Sequence, residues 1–290
     1  MDSYDYSYAI GESVILGCTA IDDVDGPVLC TYSGIIVTNT PGDYNITYEA
    51  EDSSNNLATL VVTYTIYDPN DYLNMDLSAY YDTAEGLSGE ALELALRTIV
   101  SDYTYVTYDD ARYILDETDA DPAIPGNIII LYSMQSVSGV WDAGVTWNRE
   151  HIWPQSYLGD DTIMTADLHN LKPADPGENS SRGNKYFDNL TTTVSYEPGD
   201  EVKGDIARIL FYMLVRYEVL ELVDDGTLIN TTSYNMGLLS VLLSWHELDP
   251  VDDFERNRNE VIYSYQDNRN PFIDYPHLVE LMFEDHAYYN

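Results

Sequence analysis

Basic residues are what this 290-residue sequence has least of, with 12 Lys and Arg against 51 Asp and Glu. The formal net charge of −39 excludes a broadly basic surface, which is the usual mark of a protein that binds a polyanion. An acidic, lysine-poor surface is typical of adaptation to high salt and equally of selection for solubility. The position of the few basic residues therefore matters more than their total.

The sequence also lacks long apolar runs and is poor in cysteine. No stretch of about 18 consecutive apolar residues occurs, so no transmembrane helix is predicted. The first residues, Met-Asp-Ser-Tyr-Asp, have neither the basic nor the apolar region of a signal peptide, so we expect an exported form to have lost its signal already. The only cysteines, Cys18 and Cys30, fit either one disulfide in an oxidising compartment or two buried thiols.

The basic residues are unevenly distributed along the chain. All 12 lie between Arg97 and Arg269, while residues 1–72 contain none and consist of short Thr, Val, Ile and Tyr runs. The length allows one large domain or two modest ones. We predict two domains, at residues 1–70 and 71–290.

Apolar and polar positions alternate in short runs in the first part of the chain, and turn residues separate the runs. This spacing favours an antiparallel β-sandwich. The runs comprise residues 13–16, 34–38, 44–48 and 60–66.

Three strings of this first part, residues 19–26, 41–44 and 48–56, resemble bacterial immunoglobulin-like modules of surface and secreted proteins. The resemblance implies a spacer or attachment unit without catalytic residues. Four aspartates here fit either a Ca²⁺ site, which favours several carboxylate oxygens, or solvated turns. They are Asp22, Asp23, Asp25 and Asp52.

Two helices and one strand are predicted in the second part. Residues 87–100 and 203–218 are rich in helix formers and place apolar residues on one stripe. On the second helix Arg208 and Arg216 lie on another face, where ion pairs with carboxylates are favoured over phosphate contacts. Residues 127–133 form an apolar run of strand length.

The densest group of chemically active side chains lies between residues 148 and 184. It contains Asn-Arg-Glu-His-Ile-Trp-Pro-Gln-Ser from residue 148, Asp-Leu-His-Asn-Leu from residue 167, and Asn-Ser-Ser-Arg-Gly-Asn from residue 179. Histidine, carboxylate, amide and guanidinium groups suit metal-assisted cleavage of a phosphodiester. Half of the basic residues lie near this window: Arg149, Lys172, Arg182, Lys185, Lys203 and Arg208.

These strings resemble the active-site region of the bacterial endonuclease I family, which contains secreted or periplasmic nucleases of the ββα-metal (His-Me finger) type. Residues 203–218, 245–251 and 268–274 share the likeness, which extends from about residue 85 to the end. It implies an α+β protein, with a mainly helical nuclease domain and a ββα-metal motif after the all-β module. The expected activity is a secreted, sequence-nonspecific endonuclease on DNA, with RNA as a further candidate substrate, leaving 5′-phosphate ends.

The resemblance also implies roles for single residues. It makes His151 the general base, and a neutral imidazole suits this task at physiological pH. It makes Glu150 and Asn179 the ligands of Mg²⁺, with Mn²⁺ and Ca²⁺ as alternatives. Arg182, on the helical face of Asn179, is a candidate clamp for the scissile phosphate, and Arg149 is a weaker one. Either arginine also fits an ion pair with the abundant carboxylates, and no obligate protein partner is implied.

The motif predicts its own local structure. Consecutive residues of a strand point to opposite faces, so Glu150 and His151 are expected where a strand ends or bulges. Pro154 agrees with pairing that ends there. Residues 167–171 are predicted to form the second strand and residues 179–187 the helix.

Two interpretations compete with this assignment. His169 fits a group that orients the site, but a buried histidine bonded to backbone is favoured. The acidic charge and the N-terminal module also fit a surface-associated binding or scaffold protein that keeps the nuclease fold and does not cut.

Overall fold

The computed structural model describes residues 6–11, 13–67, 77–230 and 232–289. The chain divides into two compact units, residues 1–75 and 76–290. The predicted boundary after residue 70 lies outside the described residues. None of the described helices has the length and apolar character needed to cross a membrane.

The N-terminal unit consists of β-strands. They are β1 (Tyr6–Ala9), β2 (Ala20–Asp22), β3 (Gly26–Val28), β4 (Cys30–Ser33), β5 (Gly42–Glu51) and β6 (Leu57–Tyr67). One sheet has the order β1-β6-β5-β4, with β1 parallel to β6 and the other pairs antiparallel, while β2 and β3 form a separate hairpin. The described residues thus form one four-stranded sheet and a hairpin, and the immunoglobulin-like sandwich stays a prediction.

Alternation of side chains explains the long strands of this unit. In β5, Ile46 and Tyr48 are buried, and Tyr64 on the same buried side of β6 hydrogen-bonds Tyr48 through the two hydroxyls at 2.6 Å. The predicted runs 44–48 and 60–66 therefore lie in β5 and β6.

The other two runs were wrongly predicted as strands. Residues 13–16 and 34–38 are not in a strand. Side chains of both runs, including Val14 and Ile36, pack against the core of the sheet without their backbones joining it. In these two runs the alternation of polar and apolar residues therefore reflects which side chains are buried, and it does not show that the backbone pairs in a sheet.

Cys18 and Cys30 form a disulfide, with their Cα atoms 5.8 Å apart. This decides between the two alternatives that the sequence left open. The bond joins the segment before β2 to the start of β4, so it restricts the unfolded chain in a unit with a small core.

Three of the four aspartates of the candidate Ca²⁺ site lie close together. Asp22, Asp25 and Asp52 each place a carboxylate oxygen within 4.8 Å of the others, and Asp23 is not in the group. Asp22 also accepts the amide of Val24 at 2.8 Å, as turn residues do. Both interpretations of these residues therefore stand.

The C-terminal unit contains eight helices and eight short strands among its described residues. The helices are α1 (Gly89–Val100), α2 (Tyr108–Thr118), α3 (Pro176–Arg182), α4 (Lys203–Arg216), α5 (Leu239–Leu248), α6 (Asp253–Gln266), α7 (Pro271–Asp274) and α8 (Leu278–Met282). The strands are β7 (Asn127–Ile129), β8 (Ser136–Ser138), β9 (Asn148–His151), β10 (Leu171–Ala174), β11 (Tyr186–Phe187), β12 (Ser195–Tyr196), β13 (Glu221–Val223) and β14 (Asn235–Gly237). The α+β class is confirmed.

Two hydrophobic clusters hold this unit together. The larger surrounds α4, most of whose residues are buried against α1, α5 and α7. The smaller joins α2, β7 and α6. The strand pair β9–β10 contributes to both, because Ala174 and the residues just after β9 belong to the larger cluster while Leu171 belongs to the smaller.

The second predicted strand of the motif was wrong in its bounds. Residues 167–170 form a turn, in which the amide of Asn170 bonds the Asp167 carbonyl at 3.1 Å and the Asp167 carboxylate accepts the amide of His169 at 3.0 Å. The pairing with β9 begins only at Leu171. An aspartate that bonds the backbone two residues later favours a turn over a strand.

The predicted helix 179–187 also has different bounds. Asp175 caps α3 by accepting the amides of Gly177 and Glu178, and Pro176 occupies the first helical position. The helix ends at Gly183, whose φ of 56° suits glycine. The apolar run 127–133 is likewise a strand only as far as Ile129.

Candidate active site

Strand β9 carries the candidate residues on two faces. Its antiparallel partner β10 sets Leu171 opposite His151 and Lys172 opposite Glu150. Side chains alternate along a strand, so Glu150 lies on one face and Arg149 and His151 on the other. His151 is the last residue of β9, as predicted for a pair at a strand end.

The Glu150 carboxylate is buried, with 3% of the residue exposed. Its Oε1 accepts the hydroxyl of Tyr132 at 2.6 Å and Nη1 of Arg182 at 3.1 Å. Burial raises the pKa of Glu150, while Arg182 and Tyr132 oppose that rise by stabilising the charged form. Both donors meet one oxygen, so the second oxygen, Oε2, has no side-chain hydrogen bond among the described residues.

Arg182 is a buried connector between α3 and the end of β9, with only 1% of the residue exposed. Besides Glu150, Nη1 donates to the His151 carbonyl at 2.7 Å and Nη2 to the Ile152 carbonyl at 2.5 Å. The guanidinium carbon lies 4.6 Å from the centre of the Phe187 ring. In this arrangement Arg182 exposes no donor to a phosphate, which differs from the clamp predicted for it.

Asn179 faces β9 from the middle of α3. Its Nδ2 donates to Oδ1 of Asn148 at 2.8 Å and to the Arg149 carbonyl at 3.3 Å. These two bonds fix the amide with its nitrogen toward the strand. The amide oxygen is the end that stays available as a ligand.

The His151 imidazole is held on the other face of β9. Its Nε2 lies 2.9 Å from the Thr165 carbonyl, and its ring stacks on Tyr108 with centroids 5.4 Å apart. A carbonyl only accepts, so Nε2 carries the hydrogen and Nδ1 keeps a lone pair. Burial lowers the pKa of His151 to about 4, so the imidazole is neutral at physiological pH.

Arg149 lies beside His151 and is partly exposed. Its Nη1 donates to the Tyr108 carbonyl, and the guanidinium carbon lies 3.6 Å from the centre of the Tyr108 ring and 5.6 Å from that of Trp141. Tyr108 therefore positions both the cation and the imidazole. Of the two predicted phosphate-binding arginines, Arg149 is the accessible one.

Some candidate residues contact one another and others do not. Arg182 contacts Glu150, and Asn179 contacts the backbone of β9. Among the described residues, no hydrogen bond joins the Glu150 carboxylate to the Asn179 amide or to the His151 ring. Glu150 and Asn179 thus flank the strand–helix contact, and His151, the last residue of β9, contacts Thr165 and Tyr108 instead.

A family model of Endonuclease I matches residues 88–196 and 191–277. The chain belongs to the endonuclease I family. Over 223 residues it is 47% identical to an extracellular ribonuclease of Bacillus amyloliquefaciens, covering 69% of this chain and 76% of that protein. It is 46% identical over 223 residues to an extracellular ribonuclease of Bacillus subtilis (strain 168), covering 69% and 77%. An Endonuclease-1 of Buchnera aphidicola is 26% identical over 125 residues, covering 38% and 45%.

The endonuclease I match lies within the C-terminal unit and includes all five candidate residues. Within this endonuclease I region, four further residues position the site through a side chain or a carbonyl, and the sequence alone assigned them no role. Tyr132 lies within the apolar run 127–133, and its unusual φ of 72° is visible only in the structure. Asn148 is the first residue of the motif and of β9, and the other groups carried no signal before folding brought them to this strand. These groups belong to Tyr108, Tyr132, Asn148 and Thr165.

The other polar residues singled out in this endonuclease I domain have structural partners. His169 is fully buried and its Nε2 contacts the Asn268 carbonyl at 3.3 Å, which agrees with the favoured structural interpretation. Arg208 forms a buried ion pair with Glu255, as favoured from the sequence. Arg216 instead bonds the Ser101 hydroxyl at 3.1 Å.

Proposed function

We propose that the chain is a secreted, divalent-metal-dependent, sequence-nonspecific endonuclease with His151 as general base. The observation that carries this proposal is the His151 ring, whose one nitrogen is tied to the Thr165 carbonyl while the other keeps its lone pair. Membership of the endonuclease I family supports hydrolysis of phosphodiester bonds. The activity would leave 5′-phosphate ends.

The donors around α3 fit a hard cation. Glu150 offers Oε2, because Arg182 and Tyr132 both occupy Oε1. Asn179 offers its amide oxygen, because its nitrogen is committed to β9. Mg²⁺ commonly takes one or two protein oxygens and keeps several waters, so this donor set suits it, with Mn²⁺ and Ca²⁺ as alternatives. A cation bound there would neutralise charge on the phosphoryl oxygens and on the leaving 3′ oxygen.

The protein groups then have separate tasks. Nδ1 of His151 takes the proton from the attacking water. The low pKa makes this ring a weak base when free, and the negative charge of a bound phosphodiester would raise that pKa by stabilising the imidazolium. Arg149 contacts the phosphate, and Arg182 holds Glu150 in place without touching the substrate.

Substrate and location are inferred from the relatives. Two relatives are named extracellular ribonucleases and a third Endonuclease-1, so we propose DNA and RNA as substrates and secretion as the destination. A disulfide agrees with an oxidising compartment. Recognition through the sugar-phosphate backbone would suit a nuclease without sequence preference.

A cleavage assay tests this function. Supercoiled DNA and a labelled RNA should be cut with Mg²⁺ present and left intact with EDTA, and the products should be substrates for a 5′-phosphate-dependent exonuclease. Mn²⁺ and Ca²⁺ form parallel arms. A chain that binds nucleic acid but cuts neither polymer with any of the three ions would favour the non-catalytic scaffold instead.

A further inference from the structure

Nearly every cation of this chain is paired with a carboxylate. Of the 12 Lys and Arg residues, all but Arg149, Lys185 and Arg216 make ion pairs among the described residues. In a chain with 51 Asp and Glu, an unpaired cation is unusual. Arg216 bonds Ser101 and lies over the Tyr103 ring, and Arg149 lies over Tyr108. Within the part of the chain that the structure describes, only Lys185 lacks such a partner.

Lys185 lines a cavity of about 680 Å³ at the C-terminal end of α3. The cavity continues past β11 to the turn that contains Gly226, where a side chain would collide with the Tyr186 hydroxyl 2.7 Å from the position of its Cβ. This volume lies within the range of roughly 300–1,000 Å³ that is typical of small-molecule sites.

The lining of this cavity differs in charge from the rest of the molecule. None of its described lining residues is an Asp or Glu, although carboxylates are common throughout the chain. The lining includes Lys185, Arg182 and hydroxyls such as those of Thr193 and Tyr186. The Nε of Arg182 is buried and has no hydrogen-bond partner among the described residues. An anionic ligand with polar groups fits this lining, whereas a cation does not.

The cavity adjoins the candidate active site through one side chain. Arg182 lines the cavity and also donates to Oε1 of Glu150 at 3.1 Å. A polynucleotide with its scissile phosphate at Glu150 would therefore have a neighbouring nucleotide within reach of the cavity.

We propose that this cavity is a nucleotide subsite, in which Lys185 contacts a non-scissile phosphate and Tyr186 contacts the adjoining base or sugar. The proposal rests on the proposed nuclease function and adds a substrate contact that is distinct from the cleavage chemistry. Lys185 is a binding residue in this scheme and takes no part in proton transfer.

A binding experiment without cleavage tests the subsite. In the His151→Gln form of the 290-residue chain with Mg²⁺, the fluorescence anisotropy of labelled hexathymidylate and hexauridylate would be measured over a range of salt concentrations. Adding Lys185→Gln should weaken binding roughly threefold to tenfold and reduce the slope of log affinity against log salt by about 0.7. Lys185→Arg should restore both, because it restores the charge.

Two further variants separate the cavity from general electrostatics. Thr193→Trp places a large ring in the cavity without changing charge, so it should weaken binding while leaving the salt slope unchanged. Arg256→Gln removes an exposed guanidinium from α6 and should alter neither quantity.

The outcomes distinguish this inference from the proposed function. If the parent protein cuts nucleic acid but Lys185→Gln and Thr193→Trp bind like their parent, the subsite is wrong and the function stands. If the parent protein cuts nothing with any divalent ion, the proposed function fails first.

Discussion

One arginine packs against each face of β9, but the two arginines make different contacts. On one face Arg182 is buried and donates to three oxygens, those of Glu150, His151 and Ile152. On the other face Arg149 is partly exposed, donates to one carbonyl and lies flat on Tyr108. The difference teaches that a guanidinium in this motif holds the fold when it is buried and bonds several oxygens, whereas a partly exposed one that bonds a single carbonyl stays accessible.

The largest expected effect is the loss of cleavage activity when His151 is replaced, with little change in stability. His151→Gln removes the proposed general base but keeps a donor for the Thr165 carbonyl. Cleavage should fall by roughly 10²–10⁴-fold, the usual contribution of general base catalysis. The free energy of unfolding should change by no more than about 1 kcal/mol, since the hydrogen bond is retained. Initial rates and urea unfolding measure the two quantities, and a variant that cuts at the parental rate would refute the assignment.

On the opposite face, replacing Arg182 should mainly lower the stability of the protein. Arg182→Met leaves Glu150 buried without its cation and two carbonyls without donors, which should lower the free energy of unfolding by about 3–5 kcal/mol. Adding Glu150→Gln should recover part of the loss, because the unpaired charge is then gone.

Urea unfolding measures the stability of these variants and so tests the difference between the two arginines directly. Arg256→Gln, an exposed arginine of α6, is the matched control and should unfold like the parent. If Arg182→Met also unfolds at the parental midpoint, the guanidinium does not hold this face, and the contrast between the two arginines disappears.

Lowering the pH should have a smaller effect on the free energy of unfolding for each buried histidine. Burial lowers the pKa of His151, His169 and His246 to about 4 from an ordinary value of 6.5. Between these values the unfolded chain binds protons that the folded chain does not, so the free energy of unfolding falls as pH falls from about 6.5 to 4. Each histidine contributes up to about 1.4 kcal/mol per pH unit, and carboxyls whose pKa burial raises, such as Glu150, act in the opposite sense.

Imidazole NMR resonances measure this directly. The His151 ring should stay neutral between pH 7 and 5.5, and urea midpoints should decrease over the same interval. A His151 titration centred near 6.5 would mean that its ring is open to water, and would contradict the loss of stability expected from this residue between pH 6.5 and 4.

Local patterns in the sequence predicted the helical part of the fold well. The stripes that predicted helices at 87–100 and 203–218 are confirmed by α1 and α4, since an apolar stripe needs only a neighbouring core to become buried. The position of His151 at a strand end is confirmed as well, because alternation limits where two consecutive side chains can serve one motif.

The remaining features depend on contacts distant in sequence. Tyr132 reaches Glu150 across 18 positions, and Arg182 reaches the His151 carbonyl across 31. No local spacing reports such contacts. The bounds of α3 were wrongly predicted although their signal is local, since Asp175 is the N-cap residue and Pro176 the first residue of this helix. The roles of all five candidate residues stay predictions: Arg149, Glu150, His151, Asn179 and Arg182.

One guanidinium ties together the carboxylate, the end of the strand and the helix that bears Asn179. The separation of the two oxygens proposed as cation ligands is consequently established when the polypeptide folds, and binding of an ion there would not need to order either side chain. Ligand atoms prearranged in this way reduce the entropic cost of binding an ion. They also favour ions whose preferred metal–oxygen distances match the separation of the two oxygens.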